Sequence, residues 1–520
     1  MSSVKKTLHP NGETSSLEKI TDDKRFPVET YAGKLHVEWD PSAAVTPLGQ
    51  LPFFIEFLKT SKLFDDLVST CPLKFTSNNA SSVRDILGSM LLSVLSGHTR
   101  YSHVSALRGE TVNAELLGMN KVVSEDVIRR ALLSLDEDEG SQWLESNLKK
   151  CYEPLLNIPW VLDLDATIKP LYGKQEGAEV GYNPKKPGRP SHVYHSYFIG
   201  NIRFALGVDV QNGKKVSGYY SASHLWKLLE ALPKSKWPQF LRGDISYGTE
   251  KIMSESESRD VRYLFKLKCT MKIKSLIKRH MENNLDWGYA GCSYEGVEDT
   301  IQLQGWSKAR RVIILRRKVK NKAVGILTQA STTQRNQLTF HFGEIDRGNT
   351  AYEYAILVTN LEDEILTLAQ HYRDRGDSEN NFDELKNQWG WCGFTTQDLK
   401  RCKFSGKFIA LIYDWWNIFT RLVDPDCHRE AVTTRPQLLH ATGKLTEHGR
   451  QRVLTITSTH AKTKKTEKIL TAISAFFKTL QNAAEQLTPK NVLRRILEVA
   501  FRKFFGAGTK SPPNALPVPT

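Results

Sequence analysis

Four side chains of complementary chemistry sit at fixed intervals near residue 375: Tyr372, Arg375, Glu379 and Lys386, at offsets of 0, 3, 7 and 14. At roughly 100° per helical residue they fall at about 0°, −60°, −20° and −40°, so one helical stripe can carry all four. A carboxylate on such a stripe can bind a divalent cation while Arg, Lys and Tyr grip phosphate oxygens. A solvated amphipathic helix with i,i+3 and i,i+4 ion pairs explains any one of these pairs equally well. It explains the set of four at these spacings less readily.

Further acids stand upstream where strands should end. From Trp160 to Thr167 the chain reads Trp-Val-Leu-Asp-Leu-Asp-Ala-Thr, alternating apolar and acidic residues before Pro170 and Gly173. Period two puts Asp163 and Asp165 on one strand face, where two carboxylates repel unless a cation lies between them. A second apolar run, Phe240-Leu-Arg-Gly-Asp244, meets Gly248 soon after, as at a strand turning into a helix. Aspartate at a strand end otherwise caps a helix or starts a turn.

The Tyr-x2-Arg-x3-Glu-x6-Lys pattern resembles the signature of the DDE transposases of bacterial insertion sequences, with every interval matched. The resemblance implies an RNase H-like core in which two Asp and one Glu hold two Mg²⁺ ions, with Mn²⁺ as a substitute. It carries over to Asp165, in an Asp-x-Thr setting with Thr167, to Asp244, in an Arg-Gly-Asp setting, and to Glu379 as the catalytic, metal-holding acids. Asp163 stays a rival for Asp165. Tyr372, Arg375 and Lys386 become phosphate-binding groups. The implied activity is cut-and-paste transposition: metal-dependent cleavage at the ends of an insertion sequence, then strand transfer. The implied partners are double-stranded DNA, both terminal inverted repeats and target, and a second copy of the chain in a homodimer. A domesticated or inactive DNA-binding derivative and a structure-specific RNase H-like nuclease are the alternatives.

Composition agrees. Among 520 residues, 72 Lys and Arg against 57 Asp and Glu give a formal charge of +15, which favours a polyanionic partner. No 18-residue apolar run exists and the N-terminal Met-Ser-Ser-Val-Lys-Lys lacks a signal-peptide core, so a soluble, intracellular protein is expected, which the resemblance further implies to be bacterial, cytoplasmic and nucleoid-associated. Seven scattered cysteines without a C-x-x-C pair argue against disulfide or zinc frameworks, and Cys402, Cys427 and His428 are read as core or surface residues.

The expected fold class is α/β: an RNase H-like core interrupted by a β-rich insertion, with an all-α N-terminal domain and a mainly helical C-terminal region. Residues 1–45 read as a flexible arm and 46–156 as a helical DNA-binding domain. There Ser124 caps a helix bearing Arg129 and Arg130, either a DNA-reading helix or an ordinary bundle helix. The core spans 157–269 and 351–425, with strands at Trp160–Thr167, His192–Gly200, Phe204–Val210, Val216–Tyr220, Phe240–Asp244 and Val261–Lys268, and a helix at His224–Leu232. About 134 residues separate Asp244 from Glu379, so an insertion is placed at 270–350, where Trp306–Lys322 holds eight Lys and Arg and no acid. The resemblance gives this insertion its β-rich character, and Trp287 and Trp306 are candidates there for base stacking. Glu364–Lys386 is read as one helix, bent where Gly376 weakens it. Phe404–Leu422 reads as core packing, 426–506 as the C-terminal helical region and 507–520 as a disordered tail. Between Gly177 and His192 a Gly- and Pro-rich loop carries Lys185, Lys186 and Arg189 and is read as a DNA backbone clamp.

Overall fold

The alternation beginning at Trp160 becomes β1 (Val161–Pro170), the centre of an eleven-stranded sheet in the computed structural model. The structure describes residues 25–505 apart from 41, 78, 283–286, 320–340, 343–350, 458–462 and 484–486. On one side β1 pairs antiparallel with β2 (Pro190–Ile199), which pairs antiparallel with β3 (Phe204–Asn212). On the other side it pairs parallel with β4 (Phe240–Gly243), which pairs parallel with β5 (Arg262–Lys266). Both central parallel strands are short apolar runs buried on both faces, as such strands must be.

The sheet then continues past β5. β6 (Tyr294–Ile301), β7 (Arg310–Val319) and β8 (Ala351–Thr359) form an antiparallel ribbon, and β8 lies antiparallel on β5, with Leu357 opposite Lys266. The strand order is therefore β3-β2-β1-β4-β5-β8-β7-β6. The residues expected as a β-rich insertion open instead with a helix, Met271–Glu282, and their described strands extend the central sheet. Much of the remainder lies outside the described residues. Arg310, at the start of β7, is fixed to the helix Glu250–Ser258 by ion pairs to Glu250 (2.5 Å) and Glu257 (2.7 Å).

Helices cover the sheet. We label four: α1 (Gly218–Glu230), α2 (Ile365–Arg373), α3 (Gly376–Asn387) and α4 (Leu399–Val423). α4 opens on Asp398, whose carboxylate accepts the Arg401 N–H at 2.8 Å, and it is buried along almost its whole length. It lies against β3 and the helix Glu137–Tyr152. Its Trp416 and Phe419 meet Phe54 at 5.4 and 5.3 Å, so N-terminal helical residues share one apolar core with the sheet. Residues 25–44 form a separate unit, whose strands Arg25–Thr30 and Gly33–Glu38 make a hairpin. Among the described residues no helix is long and apolar enough to cross a membrane.

Several expected elements differ. Val216–Tyr220 is not a strand: its aromatic and β-branched residues suggested one, but the Ser217 hydroxyl accepts the Tyr219 N–H and starts α1 at Gly218. The single helix expected over Glu364–Lys386 is two. Asp374 and Arg375 keep near-helical backbone angles, yet the Arg375 N–H bonds to the Tyr372 carbonyl three residues back at 3.2 Å, a tight turn beside the flexible Gly376. A uniform 100° step therefore does not run through the signature. Arg129 is not freely exposed, its guanidinium lying 5.4 Å from the Tyr101 ring centre. The tail at 507–520 lies outside the described residues.

Leu411, fully buried on α4, makes a direct test of this packing. Leu411→Ala is expected to lower the unfolding free energy by about 2–5 kcal/mol. Urea denaturation would read this, and an unchanged midpoint would mean that α4 is not docked as described.

Candidate active site

Register brings the two aspartates together, Asp244 just past the end of β4 but Asp165 midway along β1, which runs on to Pro170 instead of ending where the sequence suggested. In the parallel pair, Leu164 lies opposite Gly243, so Asp165 and Asp244 each follow the last matched position on strands spaced by about 4.8 Å. The Asp244 carboxylate closes a turn, accepting the Ser246 N–H at 2.9 Å, while that of Asp165 accepts the Ala166 N–H at 2.7 Å. Beneath them the fully buried Tyr247 donates its hydroxyl to the Asp165 carbonyl at 2.8 Å and lies 3.1 Å from His195 Nδ1. Burial pushes the Tyr247 phenol well above its usual pKa, and Tyr197, Asp165 and Asp244 add to this, so the ring feels both acids.

Two arginines separate the same-face carboxylates. Asp163, 2% exposed, receives Arg242 Nε at 2.5 Å and Nη2 at 2.8 Å, a two-point ion pair closed off from water. The third arm of Arg242 donates to the His371 carbonyl near the end of α2. Gly200 makes room for the pair, since a Cβ there would stand 2.2 Å from Asp163 Oδ2. Asp165 meets Arg375 Nη2 at 2.5 Å. Burial works against the Arg375 charge, but Asp165, Tyr372 and Asp244 together hold the guanidinium more firmly protonated than usual. Both carboxylates are thus held by buried arginines, Arg242 and Arg375 being 4% and 7% exposed, and Asp165 lies beside the α2–α3 junction that carries Arg375.

Of the remaining signature residues, Tyr372 and Lys386 are described with their side chains. Tyr372, on α2, and Arg375, in the junction, act on each other electrostatically. Glu379 lies on α3, and its side chain is outside the described residues. Lys386, in the last turn of α3, is half-buried; burial pulls its ammonium pKa down, Lys185 adds to this, and Asp165 opposes it. Lys185 therefore belongs to the rim of the site. Lys186 and Arg189 gather elsewhere on the loop, 4.9 and 4.8 Å from the exposed Tyr172 ring. Trp287 and Trp306 carry arginines on their rings, Arg316 at 4.0 Å and Arg310 at 5.2 Å.

α3 is anchored from below. Glu384, 1% exposed, accepts Trp389 Nε1 at 3.1 Å, His428 Nε2 at 2.8 Å and the Ala431 N–H at 3.0 Å. His428 is thereby used in packing. Cys402 is buried and Cys427 exposed, and both are free thiols.

Asp165, within β1, and Asp244, just past the end of β4, offer hard oxygen ligands on neighbouring strands, a donor set that suits Mg²⁺ or Mn²⁺. Among the described residues no three His, Cys, Asp or Glu lie together as a metal-binding group. Glu379, the third acid expected from the sequence, is on α3.

Residue-by-residue reading missed Arg242, Tyr247 and Lys169. Arg242 stands in the very run that carries Asp244, and a charge inside an apolar strand was the available signal. Lys169, four residues after Asp165 and 3% exposed, donates to the Gly393 carbonyl and faces the Tyr194 ring at 5.7 Å. Burial drags its ammonium pKa down from 10.5 to about 8.

With this geometry in place, comparison with known proteins assigns the class. The chain belongs to the family described as Transposase DDE domain group 1, whose model matches residues 53–477. No curated protein matches it. One similar solved structure is the cryo-EM structure of a piggyBac transposase synaptic complex with hairpin DNA. It is 10% identical over 90% of this chain and 88% of that one, with a TM-score of 0.37, a likeness that carries no argument here.

Two stability measurements follow. Asp163→Asn leaves the buried Arg242 without a counter-charge and is expected to cost about 3 kcal/mol by chemical denaturation; wild-type stability would contradict the pairing. For Lys169 the folded pKa of about 8 lies below the ordinary 10.5, so the unfolded chain binds the extra proton and stability rises with pH across that window. Lys169→Met should remove a rise on the order of 3 kcal/mol. Equal pH slopes for wild type and variant would show that Lys169 is not buried as described.

Proposed function

We propose that this protein is a cut-and-paste transposase of the bacterial insertion-sequence branch, cleaving DNA at the ends of its element and joining them to target DNA. The observation that carries this reading is the β1–β4 register, which sets Asp165 beside Asp244 with Arg375 on the Asp165 carboxylate, in a chain of the DDE family. The strand order β3-β2-β1-β4-β5, three antiparallel strands followed by two parallel ones, supports an RNase H-like core.

In this reading Asp165, Asp244 and Glu379 hold two Mg²⁺ ions. Bound there, such ions supply an activated water or 3′-hydroxyl nucleophile and neutralise charge on the leaving oxygen. The chain's own groups do the rest. Arg375 orients Asp165 and turns its guanidinium to a phosphate oxygen of the bound strand. Lys386 and Lys185 add positive charge at the rim, and Tyr372 offers its phenol to the same phosphates. Lys186 and Arg189 hold the DNA backbone farther out, and the helical residues 46–156 bind the element end. The working unit is a homodimer acting on bacterial DNA in the cytoplasm.

Glu379→Gln keeps the size of the side chain and removes its charge, so Mg²⁺-dependent cleavage of element-end DNA should fall by several orders of magnitude while end binding changes little. Arg375→Ala should weaken end positioning and slow cleavage less steeply. Near wild-type cleavage by Glu379→Gln would return the signature to an ordinary ion-paired helix. Affinity for DNA should also fall steeply with salt, by about 0.9 in log K per log salt for each phosphate contacted. A flat dependence would remove DNA as the partner.

A further inference from the structure

Near the Asp244 turn the molecule leaves two aromatic rings about half-exposed. Tyr219 and Tyr220, in the first turn of α1, are 52% and 46% exposed, with ring centres 5.3 Å apart and planes at 86°. Large exposed aromatics placed together mark a binding surface more often than chance packing.

Hydrogen bonds of the surrounding backbone fix the start of α1 and link it to the acid. Ser217 caps α1 through the Tyr219 N–H, and the Gln211 side chain binds the Tyr220 carbonyl at 3.2 Å. The Gly218 N–H donates to the Ser246 carbonyl at 2.8 Å, and the Ser246 N–H donates to Asp244 at 2.9 Å. Two hydrogen bonds therefore connect the base of the aromatic pair to the second acid. Gly218 permits this approach, since a Cβ there would stand 2.8 Å from the Ser246 oxygen. Across the Asp244 turn the next helix contributes Lys251, whose ammonium lies 4.3 Å from the Tyr219 ring centre. Lys214 and Lys215 stand in the turn before α1, and residues 213–222 contain no acid.

Rings flanked by Lys251, Lys214 and Lys215, with Asp209 taken up by the Gln211 side chain, suit a partner with its own π-faces and negative charge. A nucleic-acid strand with unpaired bases has both, whereas the base faces of a duplex are covered by stacking. We propose that Tyr219 and Tyr220 form a stacking platform for unpaired nucleotides of the DNA strand next to the Asp244 side of the active site, with Lys251 on the adjoining phosphate. This rests on the DNA-cleaving reading and adds to it the state of the bound strand.

The test uses the full-length protein, a thymidine oligonucleotide carrying one 2-aminopurine, and a blunt duplex. Wild type is expected to quench the 2-aminopurine on binding. The double variant Tyr219→Ala, Tyr220→Ala should lose the quenching and bind the single strand about tenfold or more weakly, while the double Phe variant stays near wild type and affinity for the blunt duplex is unchanged. The proposal is overturned if the Ala variant matches wild type on the single strand, as it would if another protein covered the rings. It is equally overturned if the Phe variant loses as much as the Ala variant, or if duplex affinity falls in parallel. Asp244→Asn separates the two readings. Its loss of cleavage with retained quenching supports both, whereas wild type that quenches yet cuts no DNA with Mg²⁺ overturns the cutting reading alone.

Discussion

The Asp163–Arg242 ion pair is the contact on which the arrangement of the site depends. Both groups are nearly free of solvent, so each would be severely destabilised without the other. Arg242 comes from the strand beside β1, one residue before the Gly243-Asp244 turn, and its last arm reaches the His371 carbonyl just ahead of Tyr372 and Arg375. One guanidinium thus fixes the relative position of the two acid-bearing strands and of the α2–α3 junction. Shifting any of the three would break a buried charged contact.

This arrangement resolves the conflict of two like charges on one strand face. Asp163 and Asp165 point the same way along β1, and each meets an arginine brought in from a different element. The two pairs differ in consequence. Asp163 is held by an arginine of the neighbouring strand, while Asp165 is held by one from the α2–α3 junction, on the side where Asp244 follows β4. A positive group that can trade a carboxylate for a phosphate suits chemistry on a phosphodiester, because it neutralises whichever anion is present. The anchoring of α3 through Glu384 and His428 belongs to the same scheme, since α3 carries Glu379 and Lys386.

Much of this was legible in the residues and some was not. Strands β1 to β5 and helix α4 announce themselves through apolar alternation, short apolar runs and a dense aromatic helix, all local signals. The Asp163–Arg242 contact spans 79 residues and the Leu357–Lys266 pairing about 90, so no local pattern reveals them. Val216–Tyr220 deceived because strand-forming residues outweighed a single capping serine. The signature misled in geometry: the turn at Asp374 and Arg375 breaks the helical stripe, yet Arg375 reaches Asp165 because tertiary contacts, and not helical phase, set its direction.

The central claim is that the middle of β1 and the end of β4, together with α3, surround a divalent cation. Iron-directed backbone cleavage tests this without DNA or turnover: Fe²⁺ is bound in place of Mg²⁺, ascorbate and peroxide are added, and the cut positions are mapped by mass spectrometry. The account predicts fragments ending near residues 165, 244 and 379, suppressed by excess Mg²⁺ and lost in Asp165→Asn. Cuts elsewhere, or cuts at these positions that persist in Asp165→Asn, would contradict it.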